Sequence, residues 1–221
     1  MILASLLNIS QFNPFFLKYN STIKLSNFDK STLETLVAEA DKKRMLGSRF
    51  MIGLLIEKMG VNNLSVDQMS FSEFGKPSLP SVYVSISHSG DFIAVAVSDS
   101  EDIGIDIQEQ KPINLRDFES FLSQSEQNKL SKLNDDQCQK SFFEIWTKKE
   151  AVMKADGRGM SLEPDQIILA DSKAKVTDRK TTWFQQACPV IDGYSLALYS
   201  DKGDAGVEWL RFQGGKLVKT L

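Results

Sequence analysis

The stretch Ile103-Gly104-Ile105-Asp106-Ile107-Gln108 decides how this chain is read, together with Trp146-Thr147-Lys148-Lys149-Glu150-Ala151-Val152-Met153-Lys154 further along. In the first segment isoleucines alternate with Gly104, Asp106 and Gln108, the two-residue period of a strand with one face on a core. Asp106 and Gln108 therefore project from the same face. In the second segment residues four apart stack one turn above another on a helix, so Trp146, Glu150 and Lys154 share a stripe. Carboxylate oxygens suit a hard cation that keeps several waters and takes further ligands from substrate phosphates, and a lysine neutralises those phosphates. Such a set predicts phosphoryl transfer.

Outward from these segments the texture changes twice. Ser31-Thr32-Leu33-Glu34 reads as a capping box opening a helical region that breaks near Asp41 and stops at Gly60. Short β-type runs follow at Val82–Ile86, Phe92–Val97 and Ile103–Gln108, with turns at Ser87–Gly90 and Asp99–Glu101. Residues 115 to 156 return to helix, with starts at Ser125-Glu126 and Asp135-Asp136 and a stop at Gly157. Gln166–Leu169, Thr182–Phe184 and Tyr194–Tyr199 are strands again, and Met1–Leu7 is the first strand. Helix followed by strands occurs twice, which predicts two α+β halves, 1–100 and 101–221. No Pro/Gly/Ser-rich linker divides them, so they are expected to fold as one packed unit.

At 221 residues the chain can bury a substantial core. A net charge of -3 argues against a general nucleic-acid binder and makes any anion site local. Cys138 and Cys188 lack metal or disulfide spacing, so a reducing, cytoplasmic setting is expected. No apolar run approaches the roughly 20 residues that cross a bilayer, and the apolar N-terminus lacks the basic region of a signal peptide, so no membrane association is expected.

Read alone, each motif also has an ordinary explanation. Asp106 on the polar face of a strand can meet solvent, and Glu150 with Lys154 can be an exposed helix pair contributing about 0.3–0.5 kcal/mol. His88, the only histidine, can be a hydrogen-bonding turn residue. Lys76 and the run Lys42-Lys43-Arg44 can be solvated cations, and Trp146 can be a core anchor.

Four motifs in order carry a resemblance: Gly75-Lys76-Pro77, Ile86-Ser87-His88-Ser89-Gly90, Gly104 to Gln108, and Trp146 to Lys154. Together they resemble the 4′-phosphopantetheinyl transferases of the Sfp (surfactin synthetase activator) type. The resemblance implies an α+β pseudodimer of two similar halves with coenzyme A bound between them. It implies transfer of 4′-phosphopantetheine from coenzyme A to a serine of an apo acyl or peptidyl carrier protein, with release of 3′,5′-ADP. Magnesium, or manganese in its place, is implied at Asp106, Glu150 and Gln108. Glu150 is also implied as the base, and Lys154 as the contact to the transferring phosphate. Lys149, offset by about a hundred degrees from Glu150, reaches that anion only from the side. Ser87, His88, Arg44, Lys43 and Lys76 are implied in coenzyme A binding, with Arg44 and Lys76 at the adenosine end. One departure stands out: where the family has a glutamate two residues after the aspartate, this chain has Gln108, which brings an amide oxygen but no charge.

Leu115–Leu122, with Phe118 and Phe121 three apart, is the candidate surface for the carrier, and these two aromatics can equally be core. A monomer is expected because both halves are in one chain. Two alternatives are open: a non-catalytic module that binds coenzyme A or a carrier, and another magnesium-dependent enzyme acting on a nucleotide or phosphoester. The lack of a P-loop or G-x-G-x-x-G turn weakens the latter.

Overall fold

The computed structural model describes residues 1–14, 23–61, 63–213 and 216–220. The first half runs β1 (Ile2–Asn8), α1 (Asn27–Thr35), α2 (Glu39–Met59), β2 (Ser70–Phe71), β3 (Pro77–Leu79), β4 (Val82–Ser89) and β5 (Phe92–Ser98). The second runs β6 (Ile103–Glu109), α3 (Gln124–Leu130), α4 (Asp135–Asp156), β7 (Ile167–Ala170), β8 (Lys173–Val176), β9 (Thr182–Gln185) and β10 (Tyr194–Ser200). A closing pair, β11 (Val207–Gln213) and β12 (Lys216–Lys219), follows.

Each half repeats one plan. Its leading strand pairs antiparallel with its last strand, and the others step outward from there, giving β1-β5-β4-β3-β2 in one sheet and β6-β10-β9-β8-β7 in the other. The long helix α2 or α4 lies between the leading strand and this meander in sequence. The chain is thus an α+β fold of two similar halves. β11 then pairs parallel with β1, and β12 extends that sheet to seven strands.

Residue size explains how the layers meet. In β5, Ile93, Val95 and Val97 pack with Met51, Ile52 and Leu55 of α2, while the intervening Ala94 and Ala96 face Ile103, Ile105, Ile107 and Leu198 of the other sheet. Alternation thus sends branched side chains to the helix and small ones to the inter-sheet layer, where little space is left between the backbones. On the far side, Ala151, Val152 and Ala155 of α4 pack with Ala197, Tyr199 and Trp183. The three isoleucines of β6 therefore lie between the sheets, and its other face looks at α4.

Several boundaries differ from the sequence reading. The capping box that opens α1 is Ser26 with Asp29, whose side chain and backbone groups bond reciprocally. Ser31 and Thr32 lie inside α1 and donate to Phe28 O. The break falls between α1 and α2, where Leu36 and Ala38 are extended, and Asp41 sits in the first turn of α2. α3 starts from Ser123 with Glu126, and Asn134 caps α4. Gly60 and Gly157 end α2 and α4 in the left-handed region, as expected of C-terminal stops.

Candidate active site

Gly104 sets the distance between α4 and β6. A Cβ there would lie 1.9 Å from Ala151 O and 2.4 Å from Ala155 N, so the helix rests directly on the strand backbone. The flanking residues of α4, Glu150 and Lys154, are thereby brought to the level of Asp106, two residues along the same strand face. Lys154 Nζ donates to Asp106 Oδ1 at 2.7 Å. Asp106 is only 4% exposed, and its other oxygen, Oδ2, is buried without a hydrogen-bond partner. Burial, followed by repulsion from Asp106, pushes the Glu150 carboxyl above its ordinary range, and Lys154 offsets this only in part.

The first half supplies the opposite wall. β6 is an edge strand, and β4 meets it with a row of serines on one face. Ser85 Oγ accepts from Ile105 N–H at 2.9 Å, and Ser89 Oγ accepts from Glu109 N–H at 3.0 Å. Ser87, between them, donates instead to Asp106 Oδ1 at 2.7 Å. On the other face of β4, His88 is exposed at its rim. Partial burial, then the charges of Arg44 and Lys154, hold its imidazole below the usual pKa. Arg44 donates to Asp41 Oδ1 and Gly90 O, leaving its buried Nε without a partner. Lys43 is half-buried.

Lys76 ties the halves together by donating to Asp102 Oδ1 at 2.8 Å and to Ala155 O, in the last turn of α4, at 2.7 Å. It lines a cavity of about 270 Å³ with Glu150, Lys154, Phe74, Met153 and Met160. Hollows of about 570 and 580 Å³ lie elsewhere, beside α3 and β7 and beside residues 186–191. Glu150 and the Asp106-bonded Lys154 in its wall, rather than volume, mark the smaller cavity as the site.

One sequence candidate is turned away from the carboxylates. Lys149 is fully buried on the opposite side of α4, where its Nζ donates to Glu126 Oε2 at 2.7 Å and to Phe121 O at 3.1 Å. Phe121 is buried and stacks on Trp146 at 4.1 Å, and half-buried Phe118 packs edge-on to it, so both aromatics pack against α4. Gln108 follows Asp106 on its strand face, half-buried. Asp102, the pairing of Glu126 with Lys149 and the contacts of Ser85 and Ser89 escaped the sequence reading, which named Ser87 alone of the row for a role toward coenzyme A, although Ser85-x-Ser87-x-Ser89 carried its own two-residue period.

These residues fit a divalent cation. A buried carboxylate oxygen without a partner and a second carboxyl that resists ionisation are anionic donors short of positive charge, and Lys154 supplies one charge against two. Among the described residues no group of three or more His, Cys, Asp or Glu side chains could hold a metal, so further ligands would come from Gln108, water or substrate phosphate.

Comparison with known proteins agrees with the geometry. Residues 102–198 match the model of the 4′-phosphopantetheinyl transferase superfamily. The chain is 30% identical over 170 residues to 4′-phosphopantetheinyl transferase ffp of Bacillus subtilis, covering 73% of this chain and 75% of that protein. It is 30% identical over 166 residues to 4′-phosphopantetheinyl transferase Sfp of Bacillus subtilis strain 168, covering 72% and 74%. With 4′-phosphopantetheinyl transferase psf-1 of Bacillus pumilus it shares 36% over 126 residues, covering 55% and 53%. The chain belongs to the 4′-phosphopantetheinyl transferase superfamily. Within this superfamily assignment, β6 and α4, which carry Asp106, Glu150 and Lys154, lie inside the matched region, whereas Lys76, Ser87 and His88 lie in the half that precedes it.

Proposed function

We propose that the protein transfers the 4′-phosphopantetheine group of coenzyme A to a serine hydroxyl of an apo acyl or peptidyl carrier protein and releases 3′,5′-ADP. The observation that carries this reading is the buried Asp106 oxygen without a partner, on a carboxylate bonded to Lys154, which with Glu150 lines a cavity between the halves. Asp106 and Glu150, with Gln108, are the residues that would hold magnesium or, with the same oxygen donors, manganese. When bound, the cation neutralises the pyrophosphate of coenzyme A.

The protein's own groups do the rest. Lys154 spends one N–H on Asp106 and keeps two for the phosphate that leaves. Glu150, already reluctant to stay ionised, takes the proton of the carrier serine. The serine oxygen forms a bond to the β-phosphorus as the bond to the 3′,5′-ADP oxygen breaks, and the electron pair leaves with that product. Arg44 and Lys43 supply positive charge and His88 a neutral imidazole for the remaining phosphates, and Phe74, Gly75, Lys76 and Pro77 form a wall for the adenosine. We assign residues 1–100 to coenzyme A contacts and residues 101–221 to the metal and the catalytic helix. The final strand pair of the second segment returns to the first sheet. A monomeric, cytoplasmic enzyme is the simplest form of this proposal. No helix among the described residues is long and apolar enough to cross a membrane.

Intact-protein mass spectrometry of an apo carrier after incubation with the protein, coenzyme A and magnesium tests the reading. A phosphopantetheine-sized gain on the carrier serine, lost with chelator, is expected. Coenzyme A binding without any gain across several carriers would leave a binding module instead.

A further inference from the structure

We propose that Gln108 makes cation binding conditional on coenzyme A, so that the free protein holds a divalent cation weakly and the two ligands strengthen each other's binding. This deepens the transferase reading and rests on it. In the free protein two carboxyl groups of the site, Asp106 and Glu150, face one ammonium, Lys154. Lys154 Nζ donates to Asp106 Oδ1 at 2.7 Å, which offsets the charge of Asp106 and leaves Oδ2 and the Glu150 carboxyl for a dication. Gln108, next on the same strand face and half-buried, adds an amide oxygen without charge. No third His, Cys, Asp or Glu side chain among the described residues joins the group. The affinity of an oxygen site for a hard cation is tuned by the number of charged ligands, and a cation entering alone must also approach the Lys154 ammonium.

Coenzyme A changes both the charge and the supply of donors. Each phosphate of its pyrophosphate carries a negative charge and offers oxygens of the kind a hard cation prefers. The same phosphates take the N–H groups that Lys154 does not spend on Asp106, so the ammonium no longer opposes the cation unmatched. By linkage, a ligand that tightens cation binding by some factor is itself bound tighter by that factor when the cation is present, and such couplings are typically about 5–150-fold. Gln108→Glu supplies the absent charge in the free protein and so leaves less for coenzyme A to add.

The test is a titration of Mn2+ into the protein alone and into the protein with saturating coenzyme A, followed by electron paramagnetic resonance, with a coenzyme A-only blank subtracted. Coenzyme A affinity is measured by calorimetry in chelator and again in saturating Mn2+. In the unaltered protein coenzyme A is expected to tighten Mn2+ binding by about tenfold or more, and Mn2+ to tighten coenzyme A binding by the same factor. Gln108→Glu is expected to tighten Mn2+ binding to the coenzyme A-free protein by about tenfold and to shrink the coupling accordingly. Gln108→Ala, equally uncharged, is expected to keep a coupling of about tenfold or more. Equal Mn2+ affinity with and without coenzyme A in the unaltered protein would overturn the proposal while leaving the metal site standing. Undiminished coupling in folded Gln108→Glu, or coupling lost in Gln108→Ala, would overturn it too. If coenzyme A bound but Mn2+ did not, with or without it, the metal reading would fail. If coenzyme A itself did not bind, the transferase reading would fail, and this proposal falls with either.

Discussion

Two lysines five residues apart on α4 make ion pairs of the same length with opposite meaning. Lys149 and Glu126 meet at 2.7 Å, as do Lys154 and Asp106. Around the first pair every buried polar atom is satisfied: Glu126 also accepts from Ser123 N–H, and Lys149 also donates to Phe121 O. Around the second pair Asp106 Oδ2 has no partner, and Lys154 is partly exposed to the cavity. A completed buried pair fixes structure. An incomplete one costs free energy in the resting fold, and that cost is recovered only when a ligand completes it.

The sharpest way to break this contrast is to remove one member of each pair in turn. Asp106→Ala should lower carrier modification by about 10³-fold or more, the scale of losing a charge-stabilising group, while the unfolding midpoint in urea barely moves. Near-normal turnover in this variant would sink the assignment. Lys149→Ala should do the reverse. It leaves Glu126 buried without its cation and should cost about 3–5 kcal/mol in urea unfolding, with turnover per folded molecule largely kept. A cost below about 1 kcal/mol would mean that the pair is not structural.

Gly104→Ala probes the contact that brings the second pair together. The added methyl meets the α4 backbone, which cannot step aside as a flexible side chain would. A stability loss of about 1–3 kcal/mol is expected, with a separate loss of about 10²-fold in turnover as Glu150 and Lys154 shift from Asp106. Loss of stability with normal turnover would show that the spacing does not matter for the chemistry.

Glu150→Gln gives a smaller and oppositely signed stability effect. Because the folded-state pKa of Glu150 is raised, its contribution to stability is fully present below the unfolded carboxylate range and is lost as pH rises through the folded value. At neutral pH, without metal, the amide variant should therefore melt a few degrees higher than the parent, since about 1 kcal/mol moves Tm by about 2–4 °C at this chain length. The same variant should lose transfer activity. A lower melting temperature at neutral pH with unchanged melting in acid would contradict the burial argument. The smallest effect is expected for Gln108→Glu, which should keep or modestly raise activity at limiting magnesium in a steady-state titration, and a strong loss would show that the amide is required.

The strand and helix that bear the site were legible because their signals are local. The isoleucine alternation through β6 and the four-residue spacing through α4 depend only on backbone period. Partner choice is different. Nothing in the spacing of Lys148-Lys149-Glu150 says that Lys149 turns to Glu126, because that depends on where α3 docks. Lys76 was read at the adenosine end of coenzyme A, and its tie to Asp102 and Ala155 O, which joins residues far apart in the chain, has no signature in the spacing. β8, Lys173–Val176, was missed although its buried Ala174 and Val176 alternate with exposed lysines, because four residues give too few periods to stand out. β11 and β12 were missed with it, and with them the return of the chain to the first sheet.

The serine row of β4 also bears on how molecules of this protein meet one another. β6 is a seven-residue edge strand whose outward N–H groups at Ile105 and Glu109 are taken by hydroxyls from the other sheet. The remaining sheet edges among the described residues are β2, β7 and β12, of two, four and four residues. Edges so short give a neighbouring chain little to pair with. The longest strand that could have recruited another molecule is capped from within, by the two serines that flank the one bonded to Asp106.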